Sequence, residues 1–189
     1  MIPARPGAGG SKFPFTDVGR NDDCYDAVKY LYENEIMNGT SDTLFSPNAE
    51  LTRGMVVTIL YRMEGEPFTT GSKTFSDVAA GRYYSKAVEW AAENGIVNGF
   101  TDGTFKPDQA VTREQLASIL RRYASFSGIA TYDAELPANA SVSNWAKKDV
   151  AWAYAEGILT SAQMVAAAKN ANRAEVAMAI YAYLTGTAR

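Results

Sequence analysis

One pattern recurs three times in this chain, at positions 60 residues apart. A short polar residue is followed by an arginine, and a stripe of apolar residues comes next. The three arginines are Arg53, Arg113 and Arg173. The apolar residues follow the spacing i, i+3, i+4, i+7, which places them on one face of a helix. They are Val56, Ile59, Leu60 and Met63, then Leu116, Ile119, Leu120 and Tyr123, then Val176, Ala179, Ile180 and Tyr183. Three copies at one period predict a repeat array with an all-α fold.

Each copy also carries the signals of a helix N-terminus. A short side-chain oxygen before the arginine can accept a hydrogen bond from a first-turn N–H and so cap the helix. The capping residues are Thr52, Thr112 and Asn172. Three positions further on, Gln115 and Glu175 complete capping boxes, whereas Met55 does not.

These caps place an arginine at the first position of every predicted helix. A helix N-terminus carries about half a positive charge, so a cation there is unfavourable unless an anion joins it. Free N–H groups and a guanidinium can converge on one carboxylate or phosphate. Two interpretations stay open: each arginine binds an external anion, or each pairs with an Asp or Glu of the protein and braces the repeat.

Composition narrows the possible functions. The chain has 189 residues, of which 47% are hydrophobic, so it can bury a sizeable core as one domain of three units. A net charge of -3 without a basic tract disfavours nucleic acid as a partner. The absence of histidine removes the commonest metal ligand and the usual general base, and we expect no cofactor. The acidic residues recur with the repeat instead of forming the two facing carboxylates that a glycosidase needs. We therefore expect that the chain is not an enzyme.

The ends and the membrane relation of the chain are also predicted from its composition. Residues 1–12 are rich in proline and glycine and are interpreted as a linker or an added end. No apolar run is long enough to insert in a membrane. No signal peptide is visible at the start, so we expect a terminal fragment of a larger exported protein.

Two loop features recur in the first two copies. Asp17 and Asp77 each lie in a Phe-x-Asp-Val segment, where they can cap a helix, brace an arginine or contact a ligand. Gly39 and Gly99 each follow an asparagine in a strong turn pair, and a loop with glycine allows a ligand to approach the backbone. The first helix of each copy ends before Glu35, Gly95 or Gly157, where a left-handed residue favours glycine, so the cap of the first copy is expected to be slightly strained or differently built.

Aromatic residues occupy matching positions in the first helix of each copy. Tyr30, Trp90 and Trp152 stand two residues after an inner-face valine, which directs them to a flank of the helix. An aromatic ring on a flank beside an arginine is a platform for a sugar ring. The alternative interpretation is that these rings pack between repeats.

Together these residues resemble the S-layer homology domain, over roughly residues 13–186. The second copy matches nearly throughout, with Phe-x-Asp-Val, Tyr-x-x-Ala-Val-x-Trp-Ala, Glu-Asn-Gly-Ile-Val-x-Gly, Asp-Gly-Thr-Phe-x-Pro and Thr-Arg-Glu-Gln-x-Ala. The first copy matches at Phe15, Asp17, Gly39, Phe45, Pro47, Thr52 and Arg53. The third copy matches at Trp145, Trp152, Gly157 and 172–175, but its loop lacks the glycines, the aromatic residue and the proline.

The resemblance implies three helix-loop-helix repeats, at 13–66, 73–127 and 136–186, forming one pseudo-threefold spindle. It implies grooves between repeats that bind secondary cell-wall polymers, commonly with pyruvylated N-acetylmannosamine, and so tether a larger exported protein to the outside of a Gram-positive cell wall. The implied groove residues are the three arginines, Trp90, Trp152, Tyr30 and the two aspartates. Because the third copy departs in its loop, we expect two competent grooves and one degenerate groove. A helical module that docks a protein partner is the alternative function.

Overall fold

The computed structural model of the chain describes residues 13–186, so the linker predicted at 1–12 lies outside the described part. Within that part the regular structure is helical, and the all-α prediction is confirmed. The helices are α1 Tyr25–Glu33, α2 Arg53–Met63, α3 Ser85–Glu93, α4 Arg113–Phe126, α5 Lys147–Ala155, α6 Ser161–Met164 and α7 Arg173–Gly186. A single 3-10 turn, Asn144–Ala146, leads into α5. In the described residues, no helix combines the length and the hydropathy that crossing a membrane requires.

The three arginine-bearing helices start where their sequence signals predict. Thr112 Oγ1 accepts a hydrogen bond from Gln115 N, and Gln115 Oε1 accepts one from Thr112 N, at 3.2 and 3.3 Å. Asn172 and Glu175 exchange the same pair of bonds at the start of α7, at 2.9 and 3.2 Å. At the start of α2 the cap is single, because Met55 has no side-chain acceptor to return the bond.

The residues just before these caps join the three copies in the core. Leu51 N donates to Ala171 O at 3.3 Å, Ala171 N donates to Val111 O at 2.8 Å, and Val111 N donates to Leu51 O at 2.9 Å. All three side chains are fully buried. The ring of bonds forces the three helix starts to lie close to one another.

Helix packing links each copy to the next. The second helix of a copy packs against the first helix of the following copy, which pairs α2 with α3 and α4 with α5. The last helix, α7, packs against α1 and so closes the cycle. The spindle shape and the repeat boundaries at 13–66, 73–127 and 136–186 remain predictions.

The ends of α1, α3 and α5 show how one residue type decides local strain. A left-handed residue follows each helix, with φ of 58° at Glu35, 69° at Gly95 and 71° at Gly157. Glycine adopts this conformation without a steric penalty, whereas a residue with a Cβ does not. The strain predicted for the first copy is therefore present at Glu35.

We expect Glu35→Gly to raise the free energy of unfolding by about 0.5–1 kcal/mol, because it removes the left-handed penalty and returns only part of it as unfolded-state entropy. Urea denaturation followed by circular dichroism measures the change. Gly95→Ala is the matched control in the opposite direction, since a Cβ there meets no atom within 4 Å and only the backbone conformation is affected. An unchanged or lower urea midpoint for Glu35→Gly contradicts the prediction.

Candidate functional site

The start of each arginine-bearing helix lies against the loop of the following copy. Arg53 N and Gly54 N donate to Gln109 O and Pro107 O at 2.9 and 2.8 Å. The starts of α4 and α7 make the same two bonds, to the carbonyls of Lys169 and Ala167 and to those of Ala49 and Pro47. These first-turn N–H groups are therefore occupied by the protein, and the prediction that they converge on a ligand is wrong. The guanidinium groups remain as candidates.

Arg53 is held by a carbonyl and two aromatic rings. Its Nε donates to Phe105 O at 2.9 Å, and its guanidinium carbon lies 4.9 and 4.6 Å from the ring centroids of Phe100 and Phe105. Within residues 13–186, no carboxylate forms an ion pair with it. Burial lowers the pKa of Arg53 to about 10, an effect that Asp77 opposes and the like charge of Arg122 reinforces.

Arg53 lines an open groove of about 230 Å³. Arg122 lines the same groove and is likewise without an ion-pair partner among the described residues. Trp145 also lines the groove and is 57% exposed. The other lining residues are Val97, Asn98, Gly99, Phe100, Gln115, Ser118 and Ile119. The groove thus combines two cations, amide groups and one exposed aromatic ring.

Asp77 shapes the loop that borders this groove. Its two carboxylate oxygens accept from Phe105 N at 2.8 Å and Lys106 N at 2.7 Å. Lys106 is left-handed, with φ of 58°, so the carboxylate stabilises a strained turn. Of the roles proposed from the sequence, the structure favours a structural one: the carboxylate bonds to the loop backbone, and its charge also opposes the lowering of the pKa of Arg53.

Asp17 performs the same task in the first copy. Its oxygens accept from Phe45 N at 2.8 Å and Ser46 N at 2.7 Å, and Ser46 is left-handed with φ of 59°. Direct ligand contact by either aspartate stays a prediction.

Gly39 and Gly99 are required by the aromatic residues packed on them. A Cβ at Gly99 would overlap Cε1 of Phe75 and lie 2.8 Å from Thr104 O, and one at Gly39 would overlap Cε1 of Phe15. Gly99 also lines the groove, and the approach of a ligand to its backbone stays a prediction.

Arg173 repeats the arrangement of Arg53 on the loop of the first copy. Its Nε donates to Phe45 O and its Nη2 to Asn38 O, both at 2.7 Å, and its guanidinium lies 4.6 Å from the Phe45 ring centroid. Burial lowers the pKa of Arg173, which Asp17 partly opposes. Among the described residues it forms no ion pair.

Arg113 differs from the other two arginines. Its Nη2 and Nε donate to the two carboxylate oxygens of Glu175 at 2.6 and 3.2 Å, and its Nη1 donates to Ala166 O at 3.2 Å. The bracing interpretation therefore holds for Arg113, and the structure does not support the predicted ligand role. Its partner loop belongs to the third copy, where α6 replaces the glycine turn.

The aromatic residues chosen from the sequence do not form the expected platform. Trp90 and Trp152 are 2% and 1% exposed, and Trp90 packs between Tyr61 and Phe126 with both centroid distances at 5.6 Å. Tyr30 is half-buried against the ring of Tyr181 at 5.3 Å. An exposed sugar platform at the two tryptophans is wrong, because the helix of the neighbouring copy covers that flank.

The exposed aromatic residue that lines the groove is Trp145, which sequence reasoning did not select as a site residue. One signal could have identified it. Tyr83 stands at the corresponding position of the second copy, five residues before the inner-face valine, and is also exposed, at 56%.

Comparison with known proteins places these residues in a family context. The sequence profile of the S-layer homology domain matches residues 14–54 and 74–117. An endoglucanase of Bacillus sp. (strain KSM-635) is 38% identical over 110 residues, or 58% of this chain. An amylopullulanase of Thermoanaerobacterium thermosulfurigenes is 32% identical over 168 residues, or 84% of this chain. A cellulosome-anchoring protein of Acetivibrio thermocellus is 26% identical over 141 residues, or 70% of this chain.

The matched region is a small part of each relative. It covers 12% of the endoglucanase, 9% of the amylopullulanase and 30% of the cellulosome-anchoring protein. The chain therefore resembles one segment that these larger proteins share.

We expect Asp77→Ala to lower the free energy of unfolding by about 2 kcal/mol, because two charge-assisted bonds to the loop are lost. Asp77→Asn keeps one acceptor oxygen and should lose about half as much. Asp102→Ala is the control within the same loop, since its carboxylate is exposed and bonds only to nearby Thr104 and Lys106. Urea midpoints measure all three variants, and an Asp77→Ala value equal to that of Asp102→Ala contradicts the bracing role.

Proposed function

Because residues 14–54 and 74–117 of this chain belong to the S-layer homology domain family, we propose that the chain is a non-catalytic module that anchors a larger protein to the cell surface. The relatives support an anchoring role that does not depend on the activity of the protein that carries the segment. An endoglucanase, an amylopullulanase and a cellulosome-anchoring protein differ in what their names describe, yet share this segment. A common means of attachment is the simplest role for a segment common to them.

The proposed ligand is an anionic cell-wall glycan bound in the groove beside Arg53. The observation that carries this proposal is a pair of arginines, Arg53 and Arg122, that line one groove and form no ion pair among residues 13–186. Like charges in a shared groove repel each other, and an anion between them relieves this repulsion. A charge-assisted bond to a ligand carboxylate contributes about 1.5–3 kcal/mol.

The remaining groups of the groove suit a sugar. The exposed face of Trp145 can pack against the C–H groups of a pyranose ring, and the amide of Asn98 can bond its hydroxyl groups. A sugar that carries a fixed carboxylate, such as pyruvylated N-acetylmannosamine, offers both parts. The pyruvyl carboxylate would meet the arginines while the ring packs on the tryptophan.

A second site at Arg173 would add to the strength of attachment. Its guanidinium is held as Arg53 is, by a loop carbonyl and an aromatic ring, and it has no ion-pair partner in the described chain. A repeating polymer that reaches both sites gains through effective concentration, so two modest affinities hold a surface protein without a covalent bond. Arg113, which Glu175 occupies, would not take part.

Titration of the whole chain with a synthetic pyruvylated N-acetylmannosamine monosaccharide, and with its unpyruvylated form, tests the proposal. We expect calorimetric binding of the pyruvylated sugar alone, weakening as salt concentration rises. Equal binding of both sugars would remove the role of the carboxylate. If purified wall polymer does not retain the chain and a protein partner does, the function is protein docking instead.

We expect Arg122→Ala to weaken binding of the pyruvylated sugar by about tenfold, which corresponds to about 1.4 kcal/mol, because one of the two cations is lost. Trp145→Ala should weaken it by about fivefold through loss of the stacking surface. Arg113→Ala is the matched control, because its ion pair with Glu175 is internal, and it should lower stability while leaving affinity unchanged. Calorimetric affinities of Arg122→Ala or Trp145→Ala equal to that of the parent chain would remove the groove from the proposal.

A further inference from the structure

We propose that the residue three positions after each N-cap decides whether the arginine of the preceding copy is open to an external anion. In this scheme the carboxylate of Glu175 pairs with Arg113 and so prevents an external anion from binding there. The neutral Gln115 leaves Arg53 able to bind an external anion. The inference deepens the proposed function, on which it rests, by naming the residue that sets the number of usable grooves.

The two helix starts being compared have the same backbone contacts. Arg53 N and Gly54 N donate to loop carbonyls of the second copy, and Arg113 N and Glu114 N donate to loop carbonyls of the third copy. All four bonds are between 2.8 and 3.0 Å. Because the backbone contacts are the same, the difference in ion pairing between Arg53 and Arg113 arises from the side chains around them.

The side chain from the next helix start differs in charge. Both oxygens of Glu175 accept from Arg113, in the planar two-bond arrangement that suits a guanidinium. Gln115 occupies the same helical position one copy earlier and lines the groove of Arg53, but no bond joins the two side chains within the described contacts. An amide cannot neutralise a guanidinium, so Arg53 keeps its charge for a ligand. The third such position holds Met55, which is also uncharged, and Arg173 has no ion pair in the described residues.

The helix start itself does not require either side chain to be charged. Gln115 and Glu175 both complete capping boxes with the residue three positions before them. Exchanging glutamine for glutamate therefore changes the charge that faces the arginine and preserves the cap. This makes the exchange a clean test, because folding and binding respond to different properties of the same residue.

A second difference between the copies must be separated from this one. The loop beneath Arg53 carries Phe100 and Phe105, whose rings flank the guanidinium, whereas Arg113 faces the loop that contains α6. If the rings alone kept Arg53 available, a glutamate at 115 would have no effect on binding. If the charge at position 115 decides whether the ligand binds, a glutamate there weakens binding although the rings remain.

The experiment compares the parent chain with Gln115→Glu, with Gln115→Ala as the uncharged control. We expect Gln115→Glu to bind pyruvylated N-acetylmannosamine at least tenfold more weakly than the parent, with a melting temperature equal or higher. Gln115→Ala loses the cap acceptor, so it should melt earlier but bind within about threefold of the parent. In the free proteins, NMR signals of the Arg53 guanidinium, identified by their loss in Arg53→Lys, should shift and exchange more slowly in Gln115→Glu.

The readouts separate this inference from the proposed function. Binding by Gln115→Glu equal to that of the parent overturns the inference and leaves the groove intact. If the parent does not bind the sugar, the proposed function fails, and the guanidinium signals decide the inference alone: unchanged signals in Gln115→Glu overturn it. Glu175→Gln provides the reverse measurement should Gln115→Glu fold poorly. The signals of Arg113 should then exchange faster, and unchanged signals would contradict the role of Glu175.

Discussion

The fold and the candidate site both depend on the contact between a helix-start arginine and a carbonyl in the loop of the next copy. Phe105 shows how much depends on one loop residue. Its N–H bonds to Asp77 from its own copy, its carbonyl accepts from Arg53 of the preceding copy, and its ring lies against the same guanidinium. Phe45 repeats this arrangement with Asp17 and Arg173. The groove next to Arg53, which Trp145 of the third copy also lines, therefore exists only when the copies are docked.

The same contact explains how a buried cation can remain without a carboxylate. An unpaired charge in an apolar interior is strongly unfavourable, and Arg53 has lost most of its access to water. A carbonyl, two ring faces and the nearby charge of Asp77, which forms no ion pair with Arg53, compensate part of that cost. Arg53 lines a groove together with Arg122. Partial compensation is what a binding site for an anion needs, because full pairing inside the protein would leave nothing for the ligand to gain.

Local features of this molecule could be predicted from the sequence, and contacts between copies could not. The caps at Thr112 and Asn172 and the strained residue Glu35 follow from a few neighbouring residues, and the structure has them as predicted. The flank that carries Trp90 and Trp152 looked exposed because helical spacing gives no information on which neighbouring helix will cover it. The first-turn N–H groups looked free for the same reason, since their acceptors lie in the loop of another copy. Trp145 was not predicted as a site residue because it lines the same groove as Arg53, which is far away in the sequence.

The third copy shows that its loop and its helix start are physically coupled. Where the loop lacks an aromatic residue, no ring among the described residues flanks the guanidinium of Arg113, so a carbonyl alone would leave that cation poorly compensated. Glu175 supplies the missing charge, and its position three residues after Asn172 lets it cap α7 at the same time. The third copy thus combines two features that belong together. Its loop has no aromatic residue to contact Arg113, and its helix start carries a glutamate that pairs with that arginine. An uncharged residue at that position is consistent only with the aromatic loop, and this is the combination found at Arg53 and, with Met55, at Arg173. The two types of interface therefore differ in how the arginine is held: one kind joins the copies by an internal ion pair, and in the other a loop carbonyl and an aromatic ring hold an arginine that has no ion pair among the described residues.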